Sequence, residues 1–201
     1  MSADPDAKLV LACQATRPTA LEGVFRELYE RYKDRVFNVC YRITGNSTDA
    51  LDASQETFGV LYRRIGEFRH QSRFSSWVYR IAVNASIDLR RRSRNRRFVS
   101  LDSIQDSGGS DSRFEIEDER VEMPMASATR RELELEVQRA ISRLSPKLRA
   151  VTVLRYVENL SYEQLAETLE ISLGTVKSRL SRAHDALDRE LTPVLDKHYL
   201  G

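Results

Sequence analysis

The chain has 201 residues, 41% hydrophobic content and a formal net charge of +2, enough for one or two small domains with apolar cores. No apolar run approaches the ~20 residues that a membrane span needs, and the N-terminal sequence M-S-A-D-P-D-A-K lacks the basic start and apolar core of a signal peptide. We therefore expect no membrane insertion and a cytoplasmic location.

The net charge conceals three segments of different charge. Residues 1–99 carry 18 Lys and Arg against 11 Asp and Glu, residues 100–129 carry 2 against 8, and residues 130–201 carry 12 against 11. The excess in the first segment is concentrated in the arginines between 90 and 97, which suit contacts to phosphate or, alternatively, form a solvated helix end. The acidic middle segment contains D-S-G-G-S-D-S and no sustained apolar period, which predicts a flexible linker between two domains.

The first predicted domain is helical. Apolar residues recur at spacings of three and four from Phe25 to Ile43, as on one face of a long helix. Gly45-Asn46 predicts the end of that helix, and Ser47 or Thr48 is expected to cap the next. No role is predicted for residues 1–20.

The second helix carries an acidic-amide cluster, followed by an aromatic-basic run. Asp52, Gln55 and Glu56 lie three and four residues apart and therefore share one helix face. The run from Phe68 to Trp77 mixes aromatic with basic residues, a composition suited to stacking on unpaired bases while neutralising phosphate. From Ser75 a further helix is predicted, with an apolar line beside a polar line that can face DNA. That polar line consists of Arg80, Asn84, Asp88 and Arg91.

The C-terminal third shows clear helix starts. Ser145-Pro146 places proline at a first helical position, Ser161 with Gln164 forms a capping box, and Ser172 is expected to cap the last helix. The short segment between the last two helices predicts a helix-turn-helix. The last helix presents five polar residues near its N-terminal half, the part that enters the major groove in such motifs: Thr175, Lys177, Ser178, Arg179 and Arg182. The alternative is a solvated charged face on a small bundle.

Three sequence stretches together resemble bacterial sigma-70 family sigma factors of the extracytoplasmic-function (ECF) group, which keep only regions 2 and 4. A-L-D-A-S-Q-E-T-F and F-S-S-W-V-Y-R-I-A-V-N resemble region 2, and L-S-Y-E-Q-L-A-E-T-L-E-I-S-L-G-T-V-K-S-R-L-S-R-A resembles region 4. The resemblance implies an all-α protein of two small helical domains. The implied division is an N-terminal extension 1–20, a region 2-like domain 21–99, an acidic linker 100–129, a region 4-like domain 130–192 and a tail 193–201.

The resemblance also implies roles and partners. Docking on core RNA polymerase would use Asp52, Gln55, Glu56 and Phe58. Binding and melting of the minus-ten region would use Arg69, Arg73, Phe74, Trp77, Arg80, Asn84, Asp88 and Arg91. The five polar residues of the last helix would read the minus-thirty-five element. Many members have A-E-D where this chain has Leu51 in the middle, so one acidic contact to polymerase is absent. Expected partners are core RNA polymerase, promoter DNA and an anti-sigma factor.

The sequence contains no catalytic motif. It has no P-loop, no G-x-G-x-x-G, no H-E-x-x-H and no G-x-S-x-G, and Cys13 and Cys40 have no nearby histidine, so we expect no catalytic residue, metal or cofactor. Two rival interpretations remain. An autonomous helix-turn-helix regulator would leave the segment from Asp52 to Asn84 unexplained, and a protein that only sequesters a partner would not need two basic surfaces.

Overall fold

The computed structural model of the chain describes residues 4–17, 20–102 and 125–199, and at 94–102, 125–130, 195 and 197–199 it describes the backbone only. The regular elements in these ranges are all helical, as the sequence predicts. They are α1 (Ala7–Ala15), α2 (Leu21–Thr44), α3 (Ser47–Arg64), a 3-10 turn (Ile65–Glu67), α4 (Phe74–Asp102), α5 (Met125–Arg143), α6 (Pro146–Tyr156), α7 (Tyr162–Leu169) and α8 (Leu173–Tyr199). Helices α1 to α4 form an N-terminal bundle and α5 to α8 a C-terminal bundle.

The corner between α2 and α3 depends on Gly45 and Asn46. Gly45 ends α2 with φ of 91°, a left-handed conformation that glycine adopts without a steric penalty. Asn46 is extended, and its side-chain oxygen accepts the backbone N–H of Asp49 at 2.7 Å. The cap predicted at Ser47 or Thr48 is therefore wrong. Asn46, one residue earlier in the chain, is the cap, because its side chain accepts the Asp49 N–H.

The core of the N-terminal bundle lies between α2, α3 and α4. Its largest fully buried side chains include Leu28, Ile43, Leu61, Phe74 and Tyr79. Each such side chain stabilises the fold by ~1.5–3 kcal/mol relative to an exposed position. The apolar stripe read from the sequence on α2 therefore faces a core that α2 shares with α3 and α4.

Helix α1 belongs to the N-terminal bundle, although the sequence predicts no role for it. Its Val10 and Cys13 are buried against the bundle. Just before it, the Asp6 carboxylate accepts the Tyr32 hydroxyl at 2.5 Å and an Arg31 N–H at 2.6 Å. Burial and this hydrogen bond raise the pKa of the Tyr32 hydroxyl. The N-terminal segment is thus fixed to α2 by a polar contact as well as by packing.

The C-terminal bundle confirms the predicted helix starts. The capping box of Ser161 and Gln164 is present, and Ser172 accepts the N–H of Thr175 at 3.1 Å. Pro146 occupies the first turn of α6, although the Ser145 side chain makes no capping bond. Helices α7 and α8 are separated by a short turn and form the expected helix-turn-helix, with α8 continuing into the predicted tail as far as Tyr199.

The two bundles are in direct contact, which the sequence does not predict. Glu158, after α6, is buried and accepts the Tyr79 hydroxyl and, at 3.1 Å, Arg35 Nε. Buried Arg149 donates across the contact to the Ile43 carbonyl at 2.8 Å, and so supplies a partner for the C-terminal end of α2. The predicted linker 100–129 begins in α4 and ends in α5, and its residues 103–124, with most of its acidic side chains, lie outside the described residues.

Candidate nucleic-acid and partner interfaces

The acidic-amide face of α3, formed by Asp52, Gln55 and Glu56, is exposed. Leu51 lies beside it with 52% of its side chain exposed, so this face offers one apolar contact among polar ones. Glu56 pairs with Arg63 at 3.6 Å, but both side chains are well exposed and such a pair contributes little. These groups therefore remain available to a partner.

Phe58 is not part of this face. Only 9% of the residue is exposed, and its ring packs edge-on against Tyr29 with centroids 4.8 Å apart. Phe58 packs between α3 and α2, so its contact with polymerase stays a prediction for the small part of the residue that is exposed. Phe58 packs on the side of α3 that faces α2, away from the acidic-amide face.

The aromatic-basic run begins in the turn between α3 and α4, at residues 68–73, and ends in the first turn of α4. Phe74 is 1% exposed and packs against Phe68, Trp77 and Tyr32, so its expected stacking on a base is not available in this structure. Trp77 is half-buried and its ring lies over Phe68 with centroids 5.2 Å apart. Arg69 is exposed. The accessible part of the run thus combines one aromatic edge with basic side chains.

The polar line of α4 is used differently along its length. Asn84 and Arg91 are exposed, and Arg91 pairs with Asp88 at 3.2 Å. Arg80 instead donates three hydrogen bonds to the end of α7. Its acceptors are the Glu167 carbonyl at 2.8 Å, the Thr168 carbonyl at 3.0 Å and the Glu170 carboxylate at 2.5 Å.

The contact of Arg80 satisfies carbonyl groups that a helix end leaves without partners, and its positive charge faces the negative end of the α7 dipole. Nearby, the backbone N–H of Arg73 donates to the Glu167 carboxylate at 3.1 Å. The N-terminal part of the polar line is therefore covered by the C-terminal bundle.

The polar face of α8 is open. Lys177, Ser178 and Arg182 are exposed, whereas Thr175 and Arg179 are partly exposed. On the opposite side of the helix, Val176, Leu180 and Ala183 are buried in the C-terminal bundle. Arg182 Nε donates to the Ser178 carbonyl at 3.2 Å, within the same helix. Ser178 and Arg182 thus lie away from the apolar anchors, with Thr175 and Arg179 on one flank of the helix and Lys177 on the other.

The described residues show no sign of a metal or thiol site. They contain no group of three or more His, Cys, Asp or Glu that could hold a metal ion. Burial raises the pKa of the Cys40 thiol to about 11 and raises that of Cys13, so both stay protonated near neutral pH. In the same described part of the chain, no helix is long and apolar enough to cross a membrane.

Comparison with known proteins places the two bundles in known families. The Sigma-70 region 2 family matches residues 28–97, and the Sigma-70 region 4 family matches residues 134–187. The ECF RNA polymerase sigma factor SigW of Bacillus subtilis is 34% identical over 170 residues, 85% of this chain and 90% of that protein. The ECF RNA polymerase sigma-E factor of Escherichia coli K12 is 33% identical over 179 residues, 87% and 90% of the two chains.

Two solved structures share the fold. CnrH, solved with the cytosolic domain of CnrY, superposes with a TM-score of 0.67 at 21% identity and covers 94% of this chain and 99% of that one. RpoE of Bartonella quintana, solved with the anti-sigma factor NepR, gives 0.60 at 20% identity over 84% and 96%. With both regions matched and relatives aligned over most of their length, this chain belongs to the ECF group of sigma-70 family RNA polymerase sigma factors.

Proposed function

We propose that this sigma factor binds core RNA polymerase through α3 and directs it to promoters that it reads with α8 and holds open with α4. The observation that carries the proposal is the presence, on one chain, of the exposed acidic-amide face and the open polar face of α8. A protein that binds duplex DNA alone has use for the second surface only. The autonomous regulator therefore leaves the first surface without a function.

The C-terminal bundle would recognise the minus-thirty-five element, within a domain spanning 130–192. In a helix-turn-helix the N-terminal half of the last helix lies in the major groove, where Arg179 and Arg182 are placed for guanine edges or phosphates. Lys177, exposed on the other flank of the helix, suits a phosphate. The buried side of α8 holds these residues in a fixed orientation.

The N-terminal bundle would hold the upstream edge of the melted bubble, within a domain spanning 21–99. Trp77 offers the accessible aromatic edge for an unpaired base, with Arg69 and Arg73 beside it for phosphate. Phe74 would act indirectly, because its buried ring packs against Trp77 and supports it. Further along α4, Asn84, Asp88 and Arg91 continue the surface, and Arg80 joins it only after release from α7.

The expected partners follow from these surfaces. Core RNA polymerase and promoter DNA are the two required for function, and the polymerase performs the chemistry, so we assign this chain no reaction of its own. A partner of the anti-sigma class is also proposed, since RpoE of Bartonella quintana was solved with one. A sigma factor works where polymerase and genome are, which places this chain in the cytoplasm.

Charge reversal on α3 tests the proposal. The double substitution Asp52→Lys with Glu56→Lys should abolish association with core polymerase in a pull-down, because like charges across an interface cost several kcal/mol. Since both side chains are exposed, the circular dichroism spectrum should be unchanged. With the parent protein, core polymerase should form an open complex whose unpaired thymines react with permanganate.

The matched control reverses two exposed acidic residues elsewhere, Glu22→Lys with Asp185→Lys. It adds the same charge and should bind core polymerase as the parent does. If the α3 double variant still associates with core and opens the promoter normally, the docking assignment fails. Duplex binding by the free chain at full affinity would then favour the autonomous regulator.

A further inference from the structure

The turn between α3 and α4 is held by a side chain from α1. The Gln14 amide nitrogen donates to the Ile65 carbonyl at 3.0 Å and to the Phe68 carbonyl at 2.8 Å. The amide oxygen of Gln14 lies 3.0 Å from His70 Nε2. Because an amide oxygen only accepts, His70 is the donor in that pair. The Gln14 side chain therefore makes three contacts with the turn, each to a residue more than 50 positions away from Gln14 in sequence.

The backbone of the turn needs such support. His70 has φ of 54°, in the left-handed region that residues other than glycine seldom adopt. Its ring also packs edge-on against Phe68, with centroids 4.9 Å apart. Strained backbone of this kind persists where surrounding contacts fix it, and it concentrates at sites of function. The contacts that fix it here come from Gln14 and Phe68.

A second contact from the N-terminal segment fixes the start of α4. The Asp4 carboxylate accepts the backbone N–H of Phe74 at 2.7 Å, so it satisfies one of the orphan N–H groups at the helix start. Both ends of the aromatic-basic turn are thus held by residues 4–17. These residues precede the region 2 match, which begins at 28.

We infer that Gln14 is a positioning residue for promoter melting: it holds the aromatic-basic turn in the shape that receives an unpaired DNA base. The inference rests on the proposed function of the turn. Gln14 need not touch DNA, because it acts through the Phe68 carbonyl and the ring of His70. Loss of its hydrogen bonds lets the turn relax from the left-handed conformation and removes the preformed surface. Binding to core polymerase, through the distant face of α3, does not depend on it.

Two substitutions at Gln14 test the inference. Gln14→Glu keeps the size but replaces the donor by an acceptor that faces two carbonyls, and Gln14→Met keeps the length without any hydrogen bond. With core polymerase and duplex promoter, each should open the promoter about tenfold more slowly, equivalent to ~1.4 kcal/mol of barrier. Opening is followed by the fluorescence of 2-aminopurine in the bubble.

A promoter with a mismatched, already unpaired upstream bubble distinguishes positioning from general damage. On this template most of the defect should disappear, because the base no longer has to be captured from a duplex. Lys8→Gln is the matched control: it lies exposed on the same helix and changes the net charge by the same amount as Gln14→Glu. It should behave as the parent on both templates.

The inference is overturned if both Gln14 variants open duplex promoter at the parental rate. It is also overturned if they lose core binding, fail to fold, or are equally slow on the unpaired template, since Gln14 would then be a structural residue. Failure of the proposed function looks different: the parent protein with core polymerase would itself open no promoter.

Discussion

The two surfaces assigned to DNA differ in how the chain itself uses them. On α8, Lys177 and Arg182 are exposed and the polar contacts of Arg182 stay within its own helix. On α4, Arg80 is bound to the end of α7 by three hydrogen bonds. A guanidinium cannot hold these acceptors and a phosphate with the same donors. The surface of α8 can thus meet duplex DNA without rearrangement, whereas Arg80 must leave its acceptors on α7 before it can bind a phosphate.

The contact between the bundles has a buried polar centre within an apolar core that runs through both bundles. Glu158 is its buried centre, bound to Tyr79 and Arg35. Burial and the hydrogen bond to Glu158 raise the pKa of the Tyr79 hydroxyl, so the donor is protonated at neutral pH. A cleft of about 240 Å³ lies along the contact, lined by these residues and by Arg73. Removal of this polar centre is therefore the change with which to test whether the bundles can separate.

The largest effect on the difference between the open α8 surface and the covered α4 surface is expected from Glu158→Ala. The substitution leaves the Tyr79 hydroxyl buried without an acceptor, and a buried donor without a partner costs about 1–3 kcal/mol. Part of that cost is relieved if the bundles separate. We expect the radius of gyration from small-angle X-ray scattering to rise, and the affinity of the free chain for a single-stranded oligonucleotide to increase.

Glu22→Ala is the control for that change, since it removes the same charge from an exposed position on α2. It should alter neither the radius of gyration nor the affinity. If Glu158→Ala is as compact as the parent and binds single strands no better, the contact does not limit the α4 surface. Binding of α8 to a duplex minus-thirty-five fragment should be the same in all three proteins.

A smaller effect is expected from substitutions on the open surface of α8. Replacing Arg179 or Arg182 by Ala should cost about 1–3 kcal/mol of discrimination between promoter variants if the side chain contacts a base, whereas loss of a phosphate contact weakens binding to all sequences alike. Because this surface is open, the loss should be the same whether or not Glu158 is present. Footprinting of upstream-element variants with polymerase measures it.

Arg189→Ala serves as the matched control, an exposed arginine further along α8 whose Nε donates to the Asp185 carbonyl. It should bind all variants as the parent does. If the variants at 179 and 182 also discriminate normally, the recognition assignment of α8 is wrong. If their loss depends on Glu158, the two surfaces are coupled and the comparison drawn between them does not hold.

Most of the helices could be predicted from short-range sequence patterns. The capping box at Ser161 and the cap at Ser172 could be read from the sequence because each partner lies three residues away. The polar face of α8 could be read because helical periodicity fixes which residues oppose Val176 and Leu180. The contact roles of Phe58 and Phe74 came from the resemblance, and both residues are buried, because a local sequence match does not fix how deep a side chain lies.

Contacts between distant segments could not be predicted from the sequence. Gln14 meets Phe68, and Arg80 meets α7, at separations of 54 and more than 80 residues, and no local spacing encodes either pair. Glu158 looks like a solvated loop residue between two helices. Only the docking of the bundles buries it beside Tyr79, and that docking depends on the shapes of both.

The smallest effect is expected from Glu170→Gln. Glu170 forms the exposed part of the Arg80 contact, with 70% of its side chain accessible, and the two carbonyl acceptors at the end of α7 remain after the change. An exposed ion pair contributes ~0–1 kcal/mol, so single-strand affinity of the free chain should rise by at most about fivefold. Salt screens exposed charges, so the difference from the parent should vanish as ionic strength increases.

Glu163→Gln, an exposed change on α7, is the control and should not raise the affinity for single strands. A rise as large as that of Glu158→Ala would show that Arg80 is held mainly by the carboxylate, and that the α7 carbonyls do not keep the α4 surface covered.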